Sequence, residues 1–246
     1  MWQNIYDDPH FFAGYMELRK NESGLNAALE EPAVSRLLPP LRGLDVLDLG
    51  CGFGKFAAHC LGEGAASVHG VDISENMLAE ARRQVNDPRA RFSRMPLEEF
   101  VPSPSSADLV TASLCLHYVR DLSPVVSSVV RALRPGGTFV FSVEHPVCTC
   151  NARQDWIRDD EGSPLHWPVD FYRMESLRAT SWFVDGVLKY HRTVETYVNT
   201  VLDAGLCLRR LLEPEPAAEL IAARPDLATQ RRRPPFLVIA ADKPAA

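Results

Sequence analysis

The feature that most constrains this chain is the run Val46-Leu47-Asp48-Leu49-Gly50-Cys51-Gly52-Phe53-Gly54-Lys55-Phe56. A short apolar stretch carrying one acid meets three glycines at alternate positions, and helical periodicity resumes at Phe56, Ala57 and Cys60. The pattern predicts strand, tight turn and helix, with glycine where the backbone turns sharply or a ligand comes too close for a Cβ. Such a turn is a ligand seat. A phosphate-binding P-loop needs Ser or Thr after its Gly-Lys, whereas Gly54-Lys55 is followed by Phe56. A dinucleotide fingerprint needs Gly-x-Gly-x-x-Gly, and the third glycine here arrives one residue early, which disfavours NAD. The next apolar stretch, Val68-His69-Gly70-Val71-Asp72-Ile73-Ser74, reads as a second strand ending in an acid, about where a carboxylate grips a ribose diol.

These two stretches, VLDLGCGFG and GVDIS with Asp72, resemble motif I and the acidic second-strand end of class I S-adenosylmethionine (SAM) dependent methyltransferases. The nearest group is the small-molecule branch that includes ubiquinone/menaquinone-biosynthesis enzymes. The resemblance implies an α/β, Rossmann-like fold: a mostly parallel seven-stranded sheet with helices on both faces and an antiparallel C-terminal edge strand. It also implies an N-terminal helical cap and a lid inserted after the fifth strand. SAM is then the cofactor and S-adenosylhomocysteine (SAH) the product.

Carried onto this sequence, the resemblance assigns cofactor contacts to Asp48, Gly50, Cys51, Gly52, Asp72, Ile73 and Met77. Met95, Pro96 and Leu97 take the place of the adenine-contacting loop, although Met95-Pro96-Leu97-Glu98 departs from the commoner Asp-Ala-x-x-Leu-Pro. The adenine amino group then falls to a backbone carbonyl or to Glu98. Ser113 and Leu114 border the sulfonium. In this family the N-terminal helices close over the cofactor, which brings Phe12, Tyr15 and Arg19 to the methionine end, with Arg19 placed to pair with the cofactor carboxylate.

Strands alternating with helices predict a parallel sheet with right-handed crossovers: strands over 45–49, 67–72, 90–93, 108–112 and 138–143, helices over 56–63, 75–86 and 122–133. Ser74 is a helix N-cap candidate, and Arg134-Pro135-Gly136-Gly137 is a turn whose role is structural. Beyond Glu144 a long segment to His191 carries Trp156, Trp167, Tyr172 and Trp182, too long for a simple connection and suited to a lid. Within it, 178–184 and 187–191 predict a hairpin turning at Asp185-Gly186. Thr193 then caps a helix that stops at Gly205, and 206–212 and 236–241 close the sheet. The expected organisation is one domain over 1–246: a cap over 1–41, a cofactor core over 42–143, the lid over 144–191 and closing elements over 192–246.

A length of 246 residues, 46% hydrophobic, supports one full core. The net charge of −6 disfavours a nucleic-acid or membrane surface, so the expected partner is a small-molecule substrate, with no nucleic acid and no membrane, in a monomer or homodimer. The run Arg231-Arg232-Arg233 is most simply a solvated turn. Cys51, Cys115 and Cys207 fall in predicted core elements and no Cys-x-x-Cys occurs, so reduced thiols are expected and no metal, Cys148-Thr-Cys150 with His145 being a weak ligand set. No stretch resembles a signal peptide or reaches membrane-spanning length, which places the protein in the cytoplasm.

Methyl transfer from a sulfonium needs geometry and exclusion of water, with a general base where the acceptor carries a proton. The carboxyl ends of the fourth and fifth strands bring His117 and His145 near the reacting methyl, and both, with Tyr15, are candidate catalytic side chains. His117 serves equally well as a helix-start hydrogen-bonding residue. Tyr15, Trp167 and Tyr172 line an aromatic acceptor pocket or belong to the core. The leading expectation is a SAM-dependent methyltransferase of a small aromatic or heteroaromatic metabolite, with a C, N or O acceptor. The alternatives are an RNA base methyltransferase and a non-catalytic partner subunit of the same fold.

Overall fold

The computed structural model describes residues 3–20 and 24–245; Trp2 lies outside the described residues. A 3-10 turn at Ile5–Asp7 leads into α1 (Pro9–Lys20), and a π-helical turn at Asn26–Glu30 runs straight into α2 (Glu31–Ser35). Then come β1 (Asp45–Leu49), α3 (Lys55–Gly62), β2 (Ser67–Asp72), α4 (Glu75–Gln84), β3 (Ala90–Arg94), β4 (Ala107–Ser113), α5 (Leu122–Ala132) and β5 (Leu133–Glu144). After the short α6 (Pro146–Thr149) follow β6 (Ile157–Arg158), β7 (Pro164–His166), β8 (Ser176–Trp182), β9 (Val184–His191), α7 (Val194–Asp203), β10 (Cys207–Leu212), α8 (Ala218–Ala223) and β11 (Phe236–Asp242).

Seven strands form one sheet in the order β10-β11-β5-β4-β1-β2-β3. β1 to β5 are parallel, and the C-terminal β11 enters antiparallel between β5 and β10. The order reverses at β1, between β2 and β4, and in open sheets the ligand crevice lies at the strand carboxyl ends at such a switch point. Side chains alternate across each strand, so one apolar run serves both faces. Leu47, Val110, Phe139 and Leu237 pack with Val125 and Val129 of α5 and Tyr197 of α7. Val46, Leu109, Val140 and Val238 pack on the other side with Ala57, Cys60 and Leu61 of α3. Each fully buried large side chain of this kind stabilises the fold by roughly 1.5–3 kcal/mol.

Several local expectations are corrected. Helix α4 ends at Gln84 rather than at residue 86: Val85 already leaves the helical region at φ −110° and ψ 82°, and Pro88 disfavours a helical conformation at Asp87. The β8–β9 hairpin turns at Phe183, whose φ is +57°, while Asp185 and Gly186 form a bulge in β9 between the Thr180–Val187 and Trp182–Val184 pairs. Packing explains the choice: Phe183 stacks on Trp182 and meets Phe11 edge-on, an apolar anchor that an Asp-Gly tip lacks. Cys207 is exposed, because β10 borders the sheet and its first residues face solvent.

The arginine run is not simply a solvated turn. Arg231 is exposed, but the Arg232 guanidinium donates to Pro164 O at 2.7 Å and sits 4.6 Å from the Trp156 ring centre. Arg233 stacks 4.1 Å from the centre of Trp167, and its Nε and Nη1 are buried without a hydrogen-bond partner. A weakly hydrated planar cation tolerates this environment as an ammonium does not. The connection between β10 and β11 thereby grips the β6–β7 segment.

Candidate functional site

The glycine turn is built as its spacing predicts. Gly50 has φ +70°, and a Cβ there would stand 2.5 Å from the Cβ of Cys115, so backbone conformation and close approach both demand glycine. Gly52 has φ +53° and open space where its Cβ would be. Its N–H donates to Asp72 Oδ2 at 2.9 Å, while Ser74 N–H donates to Oδ1 at 2.9 Å. Asp72 is thus fixed at the end of β2, against the β1–α3 turn. Burial pushes its carboxyl above the usual range despite those bonds.

Two adjoining cavities meet at this turn and share Tyr15, Arg19, Gly50, Gly52 and Ser113. The larger, about 540 Å³, is bordered by Asp72, Ile73, Met77, Met95, Pro96, Leu97 and Glu98 at one end. It passes Leu114 and reaches Tyr6, His117, Tyr118, Glu144, Trp182 and Phe236. The smaller, about 280 Å³, is bordered by Asp48, Cys51 and Glu30. Asp48 accepts from Thr111 Oγ1 at 2.9 Å across the β1–β4 register. Burial pushes its carboxyl up to about 7, with the neighbouring Asp72 and Glu30 adding to the shift and Thr111 opposing it.

Most residues singled out in the sequence come together here, and four aromatic or imidazole side chains do not. Phe12 packs in the cluster of Phe11, Met77 and Val187 rather than on a cavity. Trp167 donates Nε1–H to Val147 O at 2.8 Å beneath Arg233, and Tyr172 accepts Val194 N–H at 3.1 Å beside α7, so neither borders a cavity. His145 also lies off both cavities. As the N-cap of α6 it accepts Val147 N–H on Nδ1 at 3.1 Å, and its Nε2 lies 2.7 Å from Glu213 Oε1, so both ring nitrogens are engaged. The residue before a helix-starting proline is an N-cap position, and that signal was available in His145-Pro146.

His117 does border the larger cavity and is 2% exposed. Burial pushes it down to about 4, so it is a neutral imidazole at pH 7. Tyr15 receives Arg19 Nε–H at 2.9 Å, and burial raises its phenol above the usual value, leaving it protonated. Arg19 is also paired with Glu31 at 3.4 Å.

Sequence reasoning missed Glu30, Tyr6, Tyr118 and Glu144 as cavity residues and Asp7 as the partner of Ser74, and placed Trp182 only among the aromatics of the lid. Asp7 accepts Ser74 Oγ–H at 2.6 Å and the N–H of Asn76 at 3.1 Å, docking the N-terminal turn on the start of α4. Ser74 itself caps that helix by accepting Met77 N–H. No periodicity marks such long-range partners. Among the described residues, no three His, Cys, Asp or Glu side chains converge as a metal site, and no helix is long and apolar enough to cross a membrane.

The family profile described as "Methyltransferase domain" matches residues 46–137. The S-adenosylmethionine-dependent methyltransferase of Mesorhizobium loti superposes with a TM-score of 0.83 at 42% identity, covering 89% of this chain and all 100% of that one. The chain belongs to the SAM-dependent methyltransferases. An uncharacterised protein of Haemophilus influenzae is 34% identical over 98% of this chain and 97% of its own. A ubiquinone biosynthesis O-methyltransferase of Thiobacillus denitrificans is 36% identical, over 42% of this chain and 45% of that protein. The cofactor of this methyltransferase is SAM, and its fold is the Rossmann-like methyltransferase fold. The glycine turn suits that cofactor: it leaves open space at Gly52 and offers a fixed carboxylate at Asp72.

Proposed function

We propose that this methyltransferase acts on a small aromatic or heteroaromatic metabolite. The observation that carries the reading is the larger cavity, continuous from the ribose-gripping position of Asp72 past Leu114 to a wall of Tyr6, Tyr118 and Trp182. Flat rings suit aromatic walls, which bury large apolar area and favour edge or offset contacts. The relative from Thiobacillus denitrificans, which works in ubiquinone biosynthesis, agrees with a ring-bearing acceptor.

In this reading Asp72 holds the ribose, Met95 to Leu97 and Met77 enclose the adenine, and Ile73 lies beside it. Arg19, Tyr15, Asp48, Cys51 and the glycine turn surround the methionyl end, with Ser113 and Leu114 at the reacting methyl. SAM, when bound, supplies a methyl already activated on a sulfonium. The protein's part is then alignment and the exclusion of water, which are worth most in a closed site. The segment over 144–191 acts as the lid, because Trp182 reaches the cavity and Lys189 ties the segment to Glu144 at 2.6 Å. Tyr15 acts as a hydroxyl donor. His117, neutral in the wall, orients the acceptor.

The test is calorimetry with SAH, then incubation of SAM with a panel of aromatic and heteroaromatic compounds, methylated product being followed by mass spectrometry. Methylation confined to non-aromatic members of a matched panel would overturn the acceptor class while leaving the cofactor assignment intact.

A further inference from the structure

Glu144 is the carboxylate at the acceptor side of the larger cavity, placed there as the last residue of β5. Its Oε1 accepts a hydrogen bond from Lys189 Nζ at 2.6 Å and its Oε2 one from Gln154 Nε2 at 3.2 Å. An ionised carboxylate has about four acceptor directions, so these two bonds leave about two for something else. Burial works to raise its carboxyl, yet the Lys189 ammonium, with the hydrogen bonds from Lys189 and Gln154, holds it below the usual range, and it is charged at neutral pH. Lys189 is 3% exposed and does not border the cavity, so the carboxylate rather than the ammonium is presented to a ligand.

The rest of this wall offers an anion nothing comparable. Arg224 is paired with Asp226 at 2.9 Å, and both border the same cavity. Tyr6 and Tyr118 have phenols raised by burial, so they are uncharged, and their rings lie 6.1 Å apart edge-on. His117 accepts Glu144 N–H on Nδ1 at 3.5 Å, which leaves its proton on Nε2. An oxygen or carbon acceptor that must first lose a proton finds no strong base here. An acceptor whose reacting atom already carries a free lone pair needs none.

We propose that the methyl acceptor is a nitrogen base attached to or within an aromatic ring system, held with its nitrogen toward Glu144 among Tyr118 and Trp182. The inference rests on the aromatic-acceptor reading above and narrows it. A nitrogen that arrives as an ammonium first gives its extra proton to water; the lone pair then forms the new N–CH₃ bond, the CH₃–S bond breaks with its electron pair remaining on sulfur, and the positive charge passes from sulfur to nitrogen. Any proton on that nitrogen leaves afterwards to water. The acceptor directions that Lys189 and Gln154 leave on Glu144, with the Tyr118 ring, favour the charge at its new position; Lys189 Nζ itself lies 5.5 Å from the Trp182 ring centre, so Trp182 serves mainly as apolar wall.

The test uses the full chain loaded with SAH and two probes that share ring and chain length but differ in charge, tryptamine and indole-3-propionate, each titrated by calorimetry. Tryptamine is expected to bind about tenfold or more tightly than indole-3-propionate, about 1.4 kcal/mol, and Glu144→Gln to bring the two within about threefold. Equal or tighter binding of indole-3-propionate to the unmodified protein overturns the inference, and this ratio decides even if the variant does not fold. A ratio unchanged in a folded Glu144→Gln variant also overturns it. Failure of both probes to bind, with SAH bound, removes the aromatic-acceptor reading and this inference with it. A reversed preference removes the inference alone.

Discussion

Ser142 on β5 donates its hydroxyl proton to Glu30 Oε1 at 2.5 Å, which joins the N-terminal π-helical turn to the centre of the sheet. Ser113 on β4 donates to the same oxygen at 2.6 Å. Ser142 Oγ in turn accepts Leu114 N–H at 3.0 Å, and Leu114 is held at φ +49° beside the cavity. A bulky residue in the left-handed region is strained and persists only where its surroundings fix it. Glu30 is thus the far end of a relay that sets the backbone at the cavity's midpoint.

Glu30→Ala is expected to leave two hydroxyls without their acceptor, and each such loss costs about 1–3 kcal/mol. The melting temperature should fall by several degrees, since about 1 kcal/mol shifts a chain of this size by ~2–4 °C. Glu30→Gln keeps an acceptor oxygen and should recover most of that loss. Thermal unfolding of both variants, with SAH calorimetry on each, checks the order; equal stability of the two would remove the relay.

Asp48 supplies a pH prediction. The unfolded chain gives up this proton near the ordinary 3.8, whereas the fold holds it to about 7. The raised carboxyl therefore contributes stability that is present below about pH 4 and lost as pH rises to about 7. Asp48→Asn should remove that slope and raise the melting temperature at pH 8. A sulfonium and an ammonium entering beside Asp48 should also drive off its proton, so SAM binding near pH 6.5 should release more protons than SAH binding. Calorimetry in buffers of different ionisation enthalpy measures the difference.

Asp72→Ala should weaken SAH binding at least about tenfold, because a ribose hydroxyl bonded to a charged acceptor contributes about 1.5–3 kcal/mol. The variant also leaves Gly52 N–H without its acceptor, so Asp72→Asn is the useful companion. It keeps an oxygen for that bond and loses the charge. An unchanged dissociation constant in the folded Asp72→Asn protein would take the carboxylate out of the cofactor site.

The elements nearest the glycine turn were legible because local rules act alone there: β1 and β2 have their predicted ends, and Ser74 and Thr193 cap as their residue types require. The hairpin tip was misread because Asp-Gly is a local turn signal, while the tertiary contact of Phe183 decided the outcome. The same contact explains Gly14, where a Cβ would stand 2.7 Å from the Phe183 ring. Glu30 and Asp7 were invisible because the contacts that place them at the site, to Ser142 and to Ser74, lie more than sixty residues away. The arginine run misled because charge density alone does not show that tryptophans of another segment will stack on it.

The two histidines separate structure from chemistry. His145 is an N-cap tied to Glu213, so His145→Ala should cost about 0.5–2 kcal/mol of stability and leave SAH affinity unchanged. His117 is held neutral down to about pH 4 by burial, while the unfolded chain takes up this proton near 6.5. Its share of stability is therefore lost as pH falls from about 6.5 to about 4, and His117→Asn should flatten that acid limb. As an orienting group with no proton to take from a nitrogen acceptor, His117 should matter modestly: His117→Asn is expected to lower turnover less than about tenfold, below the ~10²–10⁴ of a general base. The turnover of both variants with the true acceptor, measured across pH 6–9, decides. A larger loss at His117, together with a shift of the pH profile, would make it the base and would point to an acceptor that must be deprotonated.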